Sequence, residues 1–369
     1  MFGTSGPRIE LCLLRAVRVG TMQLRTDRRT DGRTDGKKPK AASVQLPLLS
    51  VSPSARLPVL DHRQRGTDFL GLNVKTVLNS PASTGMKFWS LNPYVGCEFG
   101  CSYCYARDTH KWVTERTEGR TDGPTDSDSA EPFRSDRQPV RPSDDFEHRI
   151  YVKSNIETVL QQTLEPAKVG ETPIVIGTAT DPYQPAERQF MLTRRVLEAF
   201  RGFRGLTISI TTKSSLVARD VGLLVELSRQ HDVSVNFSLA TVDPVLLRQL
   251  EPRTPLPHAR LRALRTLSEA GIEAGVMIAP ILPGLTDSWT SLANIMEAAR
   301  EAGARFAVGM ALRLGSVARA RFLPLLHEHF PMLAPRYEHH YHGRNNASRE
   351  YKKALERRLR LLREAYGFG

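Results

Sequence analysis

Cysteine is scarce in this sequence, and long apolar runs are missing. The chain of 369 residues has four cysteines, three of them within eight positions. This distribution excludes a disulfide framework, which needs an even number of cysteines spread through a small secreted chain. No apolar run approaches the roughly 18–20 residues that a membrane-spanning helix requires. The N-terminus lacks the apolar stretch and cleavage site of a secretory signal, so we expect a cytoplasmic protein; an Arg-rich organellar presequence is the alternative.

The middle of the chain carries no net charge. The net charge is +13, yet the 30 basic and 30 acidic residues of positions 67–335 cancel. Residues 1–66 carry 13 Lys or Arg and 5 Asp or Glu, and residues 336–369 carry 9 and 4. Basic ends attract nucleic acid without sequence preference. Solvated ends with no partner are the equally open alternative.

Two segments, residues 25–36 and 116–132, share an RTDG-like repeat and have almost no apolar residues. Neither can bury enough apolar surface to offset the entropy lost on ordering. We predict a disordered basic tail at residues 1–66 and a core at residues 67–312. Within that core, residues 115–145 form a low-complexity insertion loop. A C-terminal helical extension follows at residues 313–369.

Short apolar runs alternate with segments of helical periodicity through the core. The predicted strands lie within residues 86–96, 172–180, 206–213, 233–241, 272–280 and 304–312. Such alternation predicts right-handed βαβ units and a parallel sheet. Six repeats are too few for an eight-fold barrel, so the predicted fold is α/β with a partial (β/α)6 barrel. Two more helices are predicted near residues 317–330 and 347–365.

The motif YVGCEFGCSYCYA at residues 94–106 carries the chemistry. Cys97, Cys101 and Cys104 are spaced Cys-x3-Cys-x2-Cys. Three thiolates on one tight loop can hold three irons of a [4Fe–4S] cube and leave the fourth iron open to a ligand. Gly96 and Gly100 would allow the backbone to turn sharply beside it.

A zinc site is the alternative for these cysteines. A closed tetrahedral zinc site needs a fourth ligand. Cys12 lies in the predicted tail, and His110 lies six residues after Cys104. Neither position completes a familiar zinc spacing, so we favour the cluster.

The cysteine motif, with Tyr103 before its third cysteine and β/α repeats after it, resembles the radical S-adenosylmethionine superfamily. Within that superfamily, the strings WSLNPYVGCEFGCSYCYAR, GTATDPYQPAE, TTKS and VMIAPILPGLTD resemble a bacterial subgroup related to spore photoproduct lyase, often labelled DNA-repair-photolyase-like. The resemblance runs from about residue 75 to the C-terminus, excluding residues 116–140. It implies a barrel of the radical S-adenosylmethionine type, with a [4Fe–4S] cluster and S-adenosylmethionine as cofactors and a flavodoxin- or ferredoxin-like electron donor.

The resemblance also implies roles for residues at the strand ends. The cluster ligands would be Cys97, Cys101 and Cys104. Tyr103 would pack near the adenine, and Ala279 and Pro280 would contact it through their backbone groups.

The rest of the S-adenosylmethionine molecule would meet three further strand ends. Thr178, Thr180 and Asp181 match the positions that contact the methionine amino group. Lys213 would pair with the carboxylate, and Ser238 would reach the carboxylate or the ribose. Each has an ordinary structural alternative: the threonines as strand-end caps, Asp181 as a turn former, Lys213 as a solvated loop residue and Ser238 as a buried hydroxyl.

The implied activity is reductive cleavage of S-adenosylmethionine to a 5′-deoxyadenosyl radical that acts on an unidentified substrate. One alternative is lyase or repair chemistry on nucleic acid, and another is a non-catalytic iron–sulfur protein. Spore photoproduct lyase uses a further cysteine as hydrogen donor, but no cysteine follows Cys104 here. Repair of the spore thymine dimer by that route is therefore not expected, and Tyr183 is the substitute donor we consider. The histidine-rich string at residues 338–342 is a candidate metal pair on an extended segment.

Overall fold

The computed structural model describes residues 66–110 and 146–368, and the backbone of residues 59–63. The predicted insertion loop and most of the predicted tail lie outside these residues. The strands are β1 Val59–Arg63, β2 Thr67–Leu72, β3 Leu78–Asn79, β4 Trp89–Leu91, β5 Tyr94–Val95, β6 Arg149–Lys153, β7 Ile174–Ile176, β8 Thr207–Thr212, β9 Asp232–Ser238, β10 Glu273–Ile281 and β11 Ala307–Ala311.

Helices connect most of these strands. They are α1 Pro81–Thr84, α2 Ile156–Thr163, α3 Pro166–Val169, α4 Glu187–Phe190, α5 Leu192–Phe200, α6 Val221–Leu227, α7 Pro244–Leu250, α8 Pro257–Glu269, α9 Trp289–Glu301, α10 Ser316–His329, α11 Ala334–Tyr341 and α12 Arg349–Tyr366, with a 3-10 turn at Ser215–Asp220 before α6. Within the described part of the chain, no helix is both long and apolar enough to cross a bilayer.

The larger sheet contains the predicted barrel strands. Its order is β11-β10-β9-β8-β7-β4-β3, and every pair from β4 to β11 is parallel. Only β3, at one edge, runs antiparallel to its neighbour β4. The six parallel strands follow one another in chain order, so the prediction of a partial (β/α)6 barrel is confirmed.

Alternation along strand β9 shows why these strands form. Val233, Val235 and Phe237 are buried in the main hydrophobic core, which also contains residues of the flanking helices. The serine and asparagine side chains between them face the other side of the sheet and bond to neighbouring strands; Asn236 Nδ2, for example, donates to Ser209 Oγ at 2.8 Å. Period-two patterning therefore places apolar side chains against helices and polar ones inside the partial barrel.

A second, four-stranded sheet was not predicted. Its order is β1-β2-β6-β5, in which β2 and β6 are parallel and the outer pairs are antiparallel. Residues 59–63, which the sequence placed in the disordered tail, form strand β1 of this sheet. Strand β5 has two residues and pairs with β6 across the predicted insertion. So short a strand, with so distant a partner, leaves no periodicity to detect.

The C-terminal region is helical, as the sequence predicted, but it contains one helix more than expected. Leu355, Leu359 and Leu362 of α12 are buried, and a Cβ on Gly309 of β11 would lie only 2.6 Å from Leu359 Cδ1. This helix therefore packs directly on the last barrel strand. The histidine-rich string forms the end of α11 and the residue after it, so the expectation of an extended segment was wrong.

Candidate functional site

The three cysteines lie on residues 94–106, here called the cysteine loop, which begins at β5 and leads into a helical turn at residues 107–110. Gly96 and Gly100 have positive φ angles of 86° and 65°. A Cβ on Gly96 would lie 2.7 Å from the carbonyl oxygen of Arg149, and one on Gly100 would lie 2.5 Å from Arg253 Nη2. A side chain at either position would therefore distort the loop.

The segment after strand β7 holds the start of the cysteine loop. Thr180 Oγ1 and Gln184 Nε2 donate to the carbonyl oxygen of Gly96, at 2.6 and 3.2 Å. Gln184 Oε1 accepts from the backbone of Glu98 at 2.9 Å. The hydroxyl of Thr180, which the sequence predicted as a ligand contact, is thus committed to the loop.

A buried arginine supports the middle of the cysteine loop. Arg107 is 1% exposed, and its guanidinium donates to the carbonyl oxygen of Cys101 at 3.3 Å. It also pairs with Glu147 and lies 5.1 Å from the ring centroid of Phe146. Sequence reasoning missed this support because Glu147 lies 40 residues away, beyond the predicted insertion.

The cysteine side chains are shielded from solvent. Cys97 and Cys101 are buried, and Cys104 is half-buried. Burial raises the pKa of all three thiols, while backbone hydrogen bonds from Asp181 and Phe99 act to lower that of Cys97. A metal that binds these groups as thiolates must therefore release their protons.

Beside the loop, four of the predicted ligand-binding residues come together. Lys213 Nζ donates to Ser238 Oγ at 2.6 Å, and that hydroxyl donates to the carbonyl oxygen of Ala279 at 2.8 Å. The ammonium also lies 5.7 Å from the ring centroid of Tyr103, within range of a cation–π contact. The ammonium of Lys213 is therefore the point where the ends of β8, β9 and β10 meet the cysteine loop.

The same cluster contains a glutamate and an arginine that the sequence did not predict. Glu251 accepts hydrogen bonds from the Tyr103 hydroxyl and from Arg260, and its Oε1 lies 3.2 Å from Lys213 Nζ. Burial alone would raise the pKa of Glu251, but Arg260, Lys213 and the hydrogen bonds hold it at about 2. Its sequence context, EPRTPLP, indicated only a loop, and no periodicity marks a buried carboxylate there.

Comparison with known proteins identifies the family. A model of the radical SAM superfamily matches residues 91–299. The chain belongs to this superfamily. An uncharacterised protein of Mycobacterium tuberculosis is 32% identical over 315 residues, which are 85% of this chain and 84% of that protein. An uncharacterised protein of Methanocaldococcus jannaschii is 28% identical over 220 residues, 60% of this chain and 70% of that one.

Solved structures of radical SAM enzymes share the fold. Spore photoproduct lyase complexed with dinucleoside spore photoproduct aligns with a TM-score of 0.54 and 16% identity, over 81% of this chain and 79% of that chain. A double mutant of that enzyme with bound S-adenosylmethionine and dinucleoside spore photoproduct aligns with a TM-score of 0.51 and 16% identity, over 75% of this chain and 74% of that chain. At such identities the likeness is one of fold.

The cofactors of radical SAM proteins are a [4Fe–4S] cluster and S-adenosylmethionine, and the cysteine loop fits the cluster. One short loop carries the three thiols, and the backbones of Asp181 and Phe99 donate hydrogen bonds to Cys97. Across residues 66–110 and 146–368, no group of three or more His, Cys, Asp or Glu side chains is arranged to hold a metal ion. The fit to the cluster therefore rests on the donor set, three thiols within eight residues, and not on a geometry preformed for a single ion.

Like Thr180, the other two residues predicted to contact the methionine amino group make hydrogen bonds within the protein. Thr178 Oγ1 lies 2.6 Å from Ser90 Oγ and accepts from Asn92 Nδ2 at 2.9 Å. Asp181 accepts from Thr212 Oγ1 and from the backbone of Lys213, both at 2.7 Å, and burial raises its pKa. These contacts bind the end of β7 to the ends of β4 and β8. Ligand contacts at Thr178, Thr180 and Asp181 stay predictions.

The substitute hydrogen donor that we considered lies elsewhere. Tyr183 is buried with its ring 5.9 Å from the guanidinium of Arg219, in a network with Glu187 and Asp220. Its backbone nitrogen donates to Asp181 Oδ1 at 2.9 Å, but its ring lies in this separate network. The sequence reasoning overlooked a tyrosine next to a predicted cluster ligand: Tyr105 follows Cys104 and donates to the carbonyl oxygen of Thr178.

The C-terminal histidines form no metal group in the described part of the chain. The rings of His339 and His340 lie 5.8 Å apart, edge to face. His327 bonds instead to Glu338 at 2.8 Å, bridging α10 and α11. His339 and His340 are thus exposed on α11, and the His327–Glu338 contact joins the two helices.

Proposed function

We propose that this protein is an enzyme that cleaves S-adenosylmethionine reductively at a [4Fe–4S] cluster held by Cys97, Cys101 and Cys104. When bound, the cluster supplies one electron to the sulfonium, and the broken carbon–sulfur bond leaves methionine and a 5′-deoxyadenosyl radical that abstracts hydrogen from a substrate. The observation that carries this proposal is the convergence of the cysteine loop and Lys213 at the carboxyl ends of the barrel strands.

Lys213 has the geometry of a carboxylate anchor. Its ammonium has three donors, and its contacts with Ser238 and Glu251 leave capacity for a third acceptor. Its side chain is 16% exposed, so a ligand carboxylate at this point would be largely removed from water. We assign Lys213 to the methionine carboxylate, with Ser238 beside it.

The adenine end of the ligand would lie against the other members of the group. We assign the backbone of Ala279 and Pro280 and the ring of Tyr103 to the adenine. We assign Thr178 and Asp181, at the end of β7, to the amino group, where the Asp181 carboxylate offers a charge of opposite sign. In this arrangement the protein supplies orientation and the exclusion of water around a reactive radical.

The electron donor of the predicted flavodoxin or ferredoxin type would meet a basic surface. Glu147 pairs with Arg253 and buried Arg107, and Arg321 lies 4.0 Å from it. The side chains of Arg253 and Arg321 are 36% and 44% exposed, and Arg253 contacts Gly100 of the cysteine loop. Exposed cations this close to the cluster ligands favour docking of an acidic electron carrier.

The substrate class is a second proposal. Structures of spore photoproduct lyase with a dinucleoside lesion motivate a nucleic-acid lyase or repair reaction, in keeping with the basic ends of the chain. Because no cysteine follows Cys104, hydrogen return to the product must use another donor. We place the protein in the cytoplasm, where thiols stay reduced.

The test is anaerobic reconstitution with iron and sulfide, followed by reduction with dithionite in the presence of S-adenosylmethionine. We expect four irons per chain, a paramagnetic signal that S-adenosylmethionine perturbs, and release of 5′-deoxyadenosine. A protein that holds the cluster and releases no 5′-deoxyadenosine would be the non-catalytic iron–sulfur protein instead. Damaged DNA added to the same assay tests the repair reaction through turnover and salt-dependent binding.

A further inference from the structure

Glu251 is a fully buried carboxylate with partners on both of its oxygens. The Tyr103 hydroxyl donates to Oε1, and Lys213 Nζ lies 3.2 Å from the same atom. Arg260 and Thr254 Oγ1 donate to Oε2, the latter at 2.9 Å. A carboxylate in such a place is retained only when each oxygen is hydrogen-bonded.

Arg260 neutralises most of this charge without being available to a ligand. Its side chain is completely buried, and every part of the guanidinium is occupied. Nη1 donates to Ser238 O at 2.8 Å, Nε donates to Pro255 O at 2.9 Å, and Nη2 bonds Glu251. Because Glu251 is already paired with Arg260, Lys213 is not locked into a closed ion pair and can still bind a carboxylate.

Lys213 needs such a support because its ammonium ends a flexible four-carbon chain. Beside the ring of Tyr103, Ser238 Oγ at 2.6 Å and Glu251 Oε1 at 3.2 Å are the polar side-chain contacts that fix where Nζ lies. Asp181, the other carboxylate at this end of the sheet, accepts instead from the backbone nitrogen of Lys213. Glu251 is therefore the carboxylate that orients the ammonium itself.

The same carboxylate also reaches the cysteine loop. Tyr103, which precedes Cys104, donates a hydrogen bond from its hydroxyl to Glu251 although the two residues lie 148 positions apart. We infer that Glu251 is a positioning residue that aligns Lys213 with the carboxylate of S-adenosylmethionine and couples that site to the cysteine loop through Tyr103. This inference rests on the proposed function, because it assigns Glu251 a task toward the ligand proposed for Lys213.

The test is a double-mutant cycle on the binding of S-adenosylmethionine. Glu251→Gln, Lys213→Met and the double variant are reconstituted, and the dissociation constant of S-adenosylmethionine is measured by equilibrium dialysis. We expect about tenfold weaker binding for Glu251→Gln, the size of one hydrogen bond to a charged group. In the Lys213→Met background, the same substitution should weaken binding by about twofold or less, because its target is gone.

Decarboxylated S-adenosylmethionine separates positioning from general damage to the fold. It lacks the group that Lys213 would bind, so Glu251→Gln should leave its dissociation constant within about twofold of the wild-type value. Glu187→Gln is the matched control, since Glu187 is an equally buried carboxylate that accepts from Tyr94 and pairs with Arg219 rather than Lys213, and it should bind both ligands like the wild type. Glu251→Asp, which keeps a charge opposite Arg260, replaces Glu251→Gln if that variant does not fold.

The outcomes separate this inference from the proposed function. If wild-type reconstituted protein does not bind S-adenosylmethionine, the proposed function fails. If the wild type binds and Glu251→Gln weakens both ligands equally, the residue is structural and the inference is overturned. An undiminished effect of Glu251→Gln in the Lys213→Met background overturns it as well.

Discussion

Two buried glutamates support the cysteine loop at different points, and their basic partners differ in exposure. Glu147 acts through Arg107, which holds the carbonyl of Cys101, and Glu251 acts through the hydroxyl of Tyr103. Near Glu147, two further arginines remain more than a third exposed, whereas the arginine that pairs with Glu251 is completely buried.

This difference in exposure suits the two arginine–glutamate clusters to different tasks. Charges that face water interact weakly with their partners, are screened by salt and can attract a macromolecule of opposite charge. Charges removed from water interact strongly and hold groups in fixed positions. The Glu147 side is thus suited to a protein partner, and the Glu251 side to a small ligand.

Removal of the three cysteine thiols, on the loop that both glutamates support, has the largest expected effect on activity. Replacement of Cys97, Cys101 and Cys104 by alanine should abolish iron binding after reconstitution, and with it the release of 5′-deoxyadenosine. Iron content and paramagnetic resonance are the measurements. Activity that survives this triple replacement would contradict the cluster assignment, and zinc in the purified wild-type protein would support the rejected alternative.

Substitution of the buried Arg260 should show how strongly the stability of the protein depends on the ion pair between Arg260 and Glu251. Arg260→Met leaves the buried Glu251 with Lys213 as its remaining basic partner, and we expect a loss of about 3–5 kcal/mol in the free energy of unfolding. Arg253→Met, on the Glu147 side, should cost about 1 kcal/mol or less because its guanidinium is partly solvated. Urea unfolding of both variants measures the contrast, and equal losses would remove the distinction between the two glutamates.

Lys153 sharpens the comparison because it is a buried cation without a carboxylate partner among the described residues. Its ammonium donates to the carbonyl oxygen of Asn92 at 2.6 Å, and burial lowers its pKa to about 8. The unfolded chain keeps that proton up to its ordinary pKa of 10.5. Stability should therefore rise between pH 8 and 10.5, by about 3 kcal/mol in total, because the unfolded state binds more protons there.

Lys153→Met should remove this pH dependence and stabilise the protein below pH 8. Urea unfolding of the wild type and the variant at pH 7, 9 and 10 gives the two slopes. A wild-type slope that the substitution leaves unchanged would assign the effect to other groups.

The smallest effect is expected for the exposed arginines near Glu147, and it concerns the rate of S-adenosylmethionine cleavage. The double variant Arg253→Gln, Arg321→Gln should slow S-adenosylmethionine cleavage driven by reduced flavodoxin by about tenfold at low salt. Cleavage driven by dithionite should be unchanged, because that small reductant needs no docking surface. Exposed arginines on α8, at positions 262 and 265, are the matched control. A loss with both reductants would indicate damage to the site rather than to docking.

The sequence allowed the barrel to be predicted because the pattern that forms each barrel strand lies within the strand. In VSVNFS, the alternation of apolar and polar residues specifies both the strand and the side that faces the helices. The smaller sheet could not be predicted in this way. Its strand β5 has two residues, and its pairing partner follows a segment of more than fifty residues.

The sequence by itself determined which residues could hold the cluster and which strands would form the barrel, because spacing and periodicity are local properties. Only the tertiary structure decided that Glu251 and Arg260 would neutralise one another beside Lys213 and Tyr103. Those four side chains come from three distant parts of the chain, and each becomes informative only through its partner. A buried charge is tolerated only where folding supplies its counter-charge, and that condition cannot be read from any one segment.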